Sequence, residues 1–440
     1  MDRTKQSLNE WVGDIPENWE EKPIRYIFNE IKEKNKLGTV TQALKFTYGT
    51  IIPKTNFDAE EDNYVANTIL TYTIVSPGTI MINCLNLNYD FVSQRIGLVK
   101  DNGVITSAYL PIKPIDEDII DSEYANYQLK AWDNVKAFHN MGSGVRKTLD
   151  FTELGKKYIL LPPINIQKQI VRFLNKKCFE INTLYSEIER QIEILEEYKK
   201  SVITEAVTKG LNSDVKMKDS GNFFIGEIPE HWNLNKMNRV CNIITDYVAS
   251  GSFAALAENV TYLDYPDYAM LIRTADISGK GHTSQPVYID ENSYNFLSNS
   301  NLFGGEIVLP NIGASVGDVY IVPKLYERMS LAPNSIMFKT NQNDMFYYYF
   351  FASNAGRKML LDIAQSTAQA KFNKTELRQM KVPEPTLAEQ DEIVEYLDSK
   401  CIEVDGAIED KKAQLKTLEE YKKSLIYEYV TGKKEVPDNE

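Results

Sequence analysis

The sequence predicts an α+β protein. Two strand-rich modules with helices are separated by two long helices packed as an antiparallel coiled coil, and a pseudo-two-fold internal repeat relates the halves. Three observations predict this. A long helical stretch occurs twice, each copy carries a coiled-coil period, and the segments between show short apolar runs bounded by turn residues.

The repeat pairs residues 167–208 (QKQIVRFLNKKCFEINTLYSEIERQIEILEEYKKSVITEAVT) with residues 390–431 (QDEIVEYLDSKCIEVDGAIEDKKAQLKTLEEYKKSLIYEYVT). Roughly 19 of about 42 positions are identical without a gap, far above chance for unrelated helices. LEEYKKS stands intact at 195–201 and 418–424, and Cys178 matches Cys401. The register continues upstream, pairing Ser143 with Ser366 and TEL at 152–154 with TEL at 375–377. GDIPENW at 13–19 likewise matches GEIPEHW at 226–232. Between these matched ends the modules diverge, and the second is about ten residues longer. A shared scaffold with unlike interiors suits a two-part reader of an unsymmetrical target. Plain duplication gives the same repeat but leaves the divergence of the interiors unexplained.

Apolar residues alternate at spacings of four and three in both copies. They are Ile181, Tyr185, Ile188, Ile192, Leu195 and Val202 in the first, and Val404, Ile408, Leu415, Leu418 and Leu425 in the second. That period is a coiled-coil seam. Lys199 and Lys422 fall at equivalent seam positions, and Lys411 interrupts the second copy. They either fix register or snorkel from a splayed end. Thr386 and Glu389 read as a capping box for the second helix, and Asn165 as a cap for the first. Each helix of about 44 residues spans roughly 65 Å. An antiparallel pair would hold two half-sites about two DNA turns, or about 70 Å, apart. A generic dimerisation coiled coil competes, but does not explain an intramolecular copy of the same seam.

The expected ranges are 1–160 for the first module, 161–211 for the first long helix, 212–383 for the second module, 384–432 for the second long helix and 433–440 for a tail. Within the first module, strands are expected at 70–75, 79–83, 96–100 and 108–114, with turns at Pro77-Gly78 and Asp101-Asn102-Gly103. In the second they are expected at 268–273, 306–310, 318–323 and 335–339. An aromatic-rich helix follows in each, at 123–132 and 345–361, whose rings belong to the core rather than to base stacking.

With 440 residues and 43% hydrophobic content, the chain is long enough for two to four cored domains. No run of about 18 apolar residues exists, so no membrane association is expected. The N-terminal MDRTKQSLNEW lacks the pattern of a secretory signal, and Cys84, Cys178, Cys241 and Cys401 show no metal or disulfide spacing. A reduced, cytoplasmic protein is expected. The net charge of −13 means that phosphate contacts must come from local clusters or from a partner.

Catalytic chemistry is not expected of this chain. No Asp/Asn-Pro-Pro-aromatic methylation motif is present; Leu161-Pro162-Pro163-Ile164 and Asp264-Tyr265-Pro266-Asp267-Tyr268 both depart from it. Glu30-Ile31-Lys32 is a solitary nuclease-like match inside a helical pattern, and reads as surface charge. His139, His231 and His282 have no ligand spacing, so no metal site is expected. The loop NIGASVG at 311–317 lacks the GK[ST] ending of a phosphate-binding P-loop.

In doubled order, the IPExW opening, the Ser-rich loop before TEL, the proline doublet followed by Gln-x-x-Ile-Val, and the closing LEEYKKS resemble the DNA-specificity subunits of Type I restriction-modification systems. That resemblance covers nearly the whole chain. It implies two target-recognition domains, each reading half of a bipartite, asymmetric double-stranded DNA target. It also implies helices that dock two methyltransferase subunits, with restriction and translocase subunits joining the complex for phage defence. S-adenosylmethionine, ATP and Mg are then used by the partner subunits, and this chain binds no cofactor. Alternatives are the specificity component of a Type IIB-like enzyme, and a methyltransferase-binding scaffold or decoy. The sequence departs from the family where Cys84-Leu85 follows Asn83 instead of a basic residue. DNA contacts are expected from Ser143, Arg146 and Lys147 in the first loop and from Gln369 and Lys371 in the second. Lys45 and Tyr48 in LKFTYG, and Asn311 and Ser315 in NIGASVG, are further candidates.

Overall fold

The computed structural model describes residues 3–54, 68–87, 94–142, 147–279, 285–364 and 369–437. Backbone contacts divide the chain into two compact units. The first comprises Met1–Glu189 with Ala413–Glu440, and the second Arg190–Lys412. Each unit thus joins one module to a stretch of both long helices.

In the first unit, four short antiparallel strands lie in the order Phe28–Glu30, Leu110–Pro114, Ile80–Ile82, Ile96–Leu98. Their β-branched residues are buried, Ile80, Ile96 and Ile112 completely. The helix Ser122–Asn134 contributes Tyr124, Leu129 and Trp132 to the same core. Burying a leucine such as Leu129 contributes about 2 kcal/mol. Asp121 starts this helix by accepting from the N–H groups of Glu123 and Tyr124, both at 2.9 Å. Glu30 therefore sits on a strand, pairing with Ile112, and not in the expected helix. Phe28 on this strand is fully buried while Asn29 is exposed, and pairing with Leu110–Pro114 overrides the charged flank.

Among the described residues the second unit holds a four-stranded and a five-stranded sheet, besides two two-stranded ribbons. The four-stranded sheet runs Cys241–Asp246, Ser335–Thr340, Ile307–Pro310, Tyr320–Ile321. The five-stranded sheet runs Tyr262–Leu263, Val287–Ile289, Ala269–Ile272, Met329–Leu331, Asn301–Leu302, with Ala269–Ile272 parallel to Met329–Leu331. It brings its own apolar clusters, around Leu271 and Ile289 on one side and Met270 and Leu331 on the other. The expected helix at 345–361 is two helices, Asp344–Ala352 and Asn354–Ile363. Ser353 between them is extended, and its Oγ accepts from the Gly356 N–H at 3.1 Å. A Cβ at Gly356 would lie 2.1 Å from the Phe350 carbonyl oxygen, so this sharp joint requires glycine.

The long helices are Ile164–Lys209 and Leu387–Val430. Within the first unit their residue numbers run in opposite directions: Phe173 stacks near Tyr429 at 4.4 Å, and Asn182 meets Lys422 at 2.7 Å. Within the second unit Lys199 meets Asp405 at 2.6 Å in the same antiparallel register. Thr386 and Glu389 form the expected box, with Glu389 Oε2 accepting from the Thr386 N–H at 3.0 Å. Asn165 lies inside the first helix rather than capping it. The turn opens on the Pro163 carbonyl, which accepts from the Ile166 and Gln167 N–H groups. A proline fixes φ before a helix without needing a side-chain cap.

Candidate nucleic-acid interface

The first unit presents a hairpin whose strands Leu44–Thr47 and Thr50–Pro53 are joined by Tyr48-Gly49. Both turn residues have positive φ, 45° and 72°, as a two-residue hairpin turn matching strand twist demands. Space also favours Gly49, because a Cβ there would meet the Cβ of Gln94 at 2.9 Å. The turn leaves Tyr48 at the tip, 86% exposed, while Lys45 is exposed on the adjoining strand opposite Ile52.

A second surface is built alike in both units. In the first, the loop after Ile80–Ile82 is joined to the segment leading into the short helix Phe151–Leu154. The Leu149 N–H donates to the Cys84 carbonyl at 3.2 Å, and the Leu87 N–H to the Lys147 carbonyl at 3.3 Å. Lys147 is half-buried at a positive φ of 37°. Ser143 and Arg146 lie outside the described residues. In the second unit, the loop after Ile307–Pro310 meets the segment leading into Lys374–Gln379. The Phe372 N–H donates to the Asn311 carbonyl at 3.0 Å, and the Gly313 N–H to the Ala370 carbonyl at 2.9 Å. Asn311 Nδ2 donates to the Phe372 carbonyl at 2.8 Å, so this candidate's amide fastens the two loops together. Ser315 is half-buried and closes a turn, its carbonyl accepting from the Asp318 N–H at 3.0 Å. Gln369 and Lys371 are exposed beside it. The structure thus brings Asn311, Ser315, Gln369 and Lys371 onto one paired loop, and leaves Lys45 and Tyr48 on a separate hairpin.

Two organising residues were not evident in the sequence. Arg95 is fully buried, and its guanidinium donates to the carbonyls of Asn83 (3.1 Å), Leu85 (2.8 Å) and Asn86 (3.3 Å), moulding the first loop from behind. Its own N–H donates to Asp133 Oδ2 at 2.7 Å. Burial drives the Cys84 thiol up to about 12, so the loop after Asn83 holds a neutral, inward group. In the second unit, Arg357 pairs with Asp318 at 2.5 Å on the flank of the corresponding loop. A lone arginine or aspartate in sequence carries no signal for these roles.

The mounts beneath the loops repeat closely. Asp150 caps Phe151–Leu154 by accepting from the Glu153 N–H, and Asn373 caps Lys374–Gln379 at the matching position. Gln167, fully buried, accepts from the Asp121 N–H (2.9 Å) and donates to the Ile119 and Pro162 carbonyls. Gln390 accepts from the Asn343 N–H (3.1 Å) and donates to the Pro385 carbonyl and to Gln342. Tyr127 donates to Asn175 at 2.7 Å, and Tyr349 to Asp398 at 2.6 Å.

Of the seam positions, Ile181, Val404, Ile408 and Leu425 are buried. Tyr185, Ile188, Ile192, Leu195, Val202, Leu415 and Leu418 are half-buried, as are Lys199, Lys411 and Lys422. Away from the seam the helices expose Phe179 (72%), Ile402 (73%), Tyr198 (45%) and Tyr421 (54%). These are equivalent pairs in the repeat, so each unit shows one of each kind. Among the described residues no group of three or more His, Cys, Asp or Glu is placed to hold a metal ion. No helix among them is long and apolar enough to cross a membrane.

These features define a repeated two-module architecture with two long helices, which known proteins share. Residues 229–419 match the family model described as the Type I restriction modification DNA specificity domain. Over 433 residues the chain is 26% identical to the Type I restriction enzyme MjaVIII specificity subunit of Methanocaldococcus jannaschii, covering 95% of this chain and 93% of that protein. A chain solved in work on complex assembly and conformational transition of the type I R-M system has the same fold. Its TM-score is 0.67 at 13% identity, covering 95% of this chain and 99% of that one. Over nearly its whole length the chain is thus similar to a specificity subunit of a Type I restriction-modification system, and residues 229–419 match that specificity-domain model.

Proposed function

We propose that this chain is the non-catalytic subunit that reads a bipartite, asymmetric DNA target, one half with each module, and docks two methyltransferase subunits. The observation carrying this reading is that near-identical mounts support unlike loops. Asp150 and Asn373, Gln167 and Gln390, and Tyr127 and Tyr349 keep their roles. The loops they carry are Cys84-lined in one unit and glycine-bracketed in the other. Lys45, Tyr48 and Lys147 in the first unit, and Gln369 and Lys371 in the second, then face DNA, with Ser143 and Arg146 in the same loop as Lys147. Long cations serve phosphates and amides serve base edges. Asn311 and Ser315 set the shape of the second loop.

The repeated exposed pairs Phe179 with Ile402 and Tyr198 with Tyr421 support two docking faces for two copies of one partner. S-adenosylmethionine, ATP and Mg belong to the methyltransferase and restriction subunits in this reading, and the long helices set the unspecified spacer. Mapping methylated adenines in a host expressing the complete system tests it. The expected map shows two unlike half-sites at one fixed spacing. A reconstituted complex without sequence preference would instead mark a scaffold or decoy.

A further inference from the structure

A cleft of about 880 Å³ opens within the first unit, between the hairpin turn at Tyr48, the helix Ser122–Asn134 and both long-helix stretches. Its charge is unbalanced. Lys100, Lys130 and Lys422 all line it, and Lys130 has no hydrogen-bond or ion-pair partner among the described residues. Burial, then Lys422, and more weakly Lys100, outweigh the opposing pull of Cys178 and Asp133 and push the Lys130 ammonium down to about 8. Its cost is that of a charge taken out of water beside like charges.

Two of the carboxylates in the cleft wall are engaged with neighbours: Glu123 accepts from Asn175 Nδ2 at 2.7 Å and Glu419 from Lys423 at 2.5 Å. Asp133 accepts from the Arg95 N–H at 2.7 Å through Oδ2, while its Oδ1 has no partner and its charge draws Lys130 only weakly. Asn126, 7% exposed, also lines the cleft, and its Oδ1 is buried without a partner. Its amide can turn either end toward a ligand.

The internal repeat shows how this imbalance arose. In the second unit Lys199 is neutralised by Asp405 at 2.6 Å. The repeat equivalents in the first unit are Lys422 and Asn182, so the carboxylate has become an amide, which accepts from Lys422 at 2.7 Å. Aligning Tyr127 with Tyr349 places Lys130 where the second unit has Ala352. One negative charge is lost and one positive charge gained at the same place, and both changes leave an excess of positive charge around a cavity.

We propose that this cleft is a binding site for a phosphate-bearing polyanion, held by Lys130, Lys422 and Lys100, with Asn126 as a neutral donor. A single carboxylate would leave two of the three ammonium groups unmatched, whereas linked phosphates supply the charge. The space admits the body of a phosphate ester beyond its charged end. Such phosphates come either from a free small molecule or from a nucleic-acid backbone.

The test is calorimetric titration of the full-length chain with inorganic pyrophosphate. Binding is expected, with at least about a tenfold loss in Lys130→Met and a change within about twofold in Lys199→Met, the equivalent lysine of the second unit. Methionine removes an uncompensated charge at nearly constant length, so the variant folds, and its own melting curve verifies this. Pyrophosphate is expected to raise the melting temperature of the parent chain but not of Lys130→Met. Absence of pyrophosphate binding, or equal binding by Lys130→Met, overturns the proposal. Displacement of pyrophosphate by a short DNA duplex identifies the backbone as the source. Displacement by a nucleoside triphosphate, but not by duplex, identifies a free ligand.

Discussion

At matched positions the two units keep some side-chain contacts and have exchanged others, and the division follows burial. Gln167 and Gln390 are both fully buried and make parallel sets of bonds to their module's helix start and to the proline doublet. A polar group there cannot change without stranding its partners in the dry interior. At the half-exposed seam, by contrast, Lys199–Asp405 has become Lys422–Asn182, where water tolerates the loss of a carboxylate. Around Trp232 the second unit has added a contact outright. His231 and Trp232 both meet Glu389 Oε1, at 2.6 and 3.1 Å, and Ile166 occupies the matching position in the first unit. Buried mounts are retained while rims drift, which lets one scaffold carry two different heads.

The largest effect is expected where the units agree. Gln167→Leu and Gln390→Leu each strand buried backbone groups, and each should cost about 2–4 kcal/mol, of similar size in the two units, by denaturant titration. A loss in only one would show that the mounts are not equivalent.

A smaller effect separates the units by pH. Burial raises the Glu389 carboxyl, but hydrogen bonds from His231, Trp232 and Thr386 outweigh it and hold the group at about 2. Because the folded value lies below the ordinary carboxylate value of 4.5, this contribution is complete above about pH 4.5 and is lost as pH falls toward about 2. Glu389→Gln should therefore cost about 1–2 kcal/mol at pH 7 and almost nothing near pH 2, read from melting temperatures of parent and variant across that range. An undiminished difference near pH 2 would remove the carboxylate from the account.

The smallest effect has opposite signs in the two units. Lys199→Met removes an exposed ion pair and should cost under about 1 kcal/mol. Lys422→Met should lose the bond to Asn182 yet relieve repulsion on Lys130, leaving stability unchanged or slightly raised. Thermal melts at low salt distinguish the two, and equal destabilisation would contradict the charge difference between the units.

Much of this arrangement was legible from pattern. The repeat exposed the two helices, and the strands centred on Ile80–Ile82, Ile96–Leu98, Ile307–Pro310 and Ser335–Thr340 fell within the expected ranges because turn residues bracket them. Of the five-stranded sheet of the second unit only Ala269–Ile272, inside the range expected at 268–273, was legible. The other strands are two or three residues long, and one pairing is parallel and far apart in sequence, so no local period marks them. The break at Ser353 carried a signal, a capping serine followed by glycine, hidden within an aromatic run that reads as one helix. At the loops, Lys45 and Tyr48 stood out only as candidate contacts, and the hairpin that carries them was not read from the sequence. The roles of Arg95 and of the Asn311 amide depend on contacts across the fold that a single sequence does not display.

The central claim is that each module reads its own half of the target. Exchanging residues 20–150 for the corresponding module of another specificity subunit, and mapping methylated adenines in cells expressing the hybrid with its partner subunits, tests it most directly. The account predicts that one half-site changes while the other half-site and the spacer stay as they were. A hybrid that alters both half-sites together would contradict it.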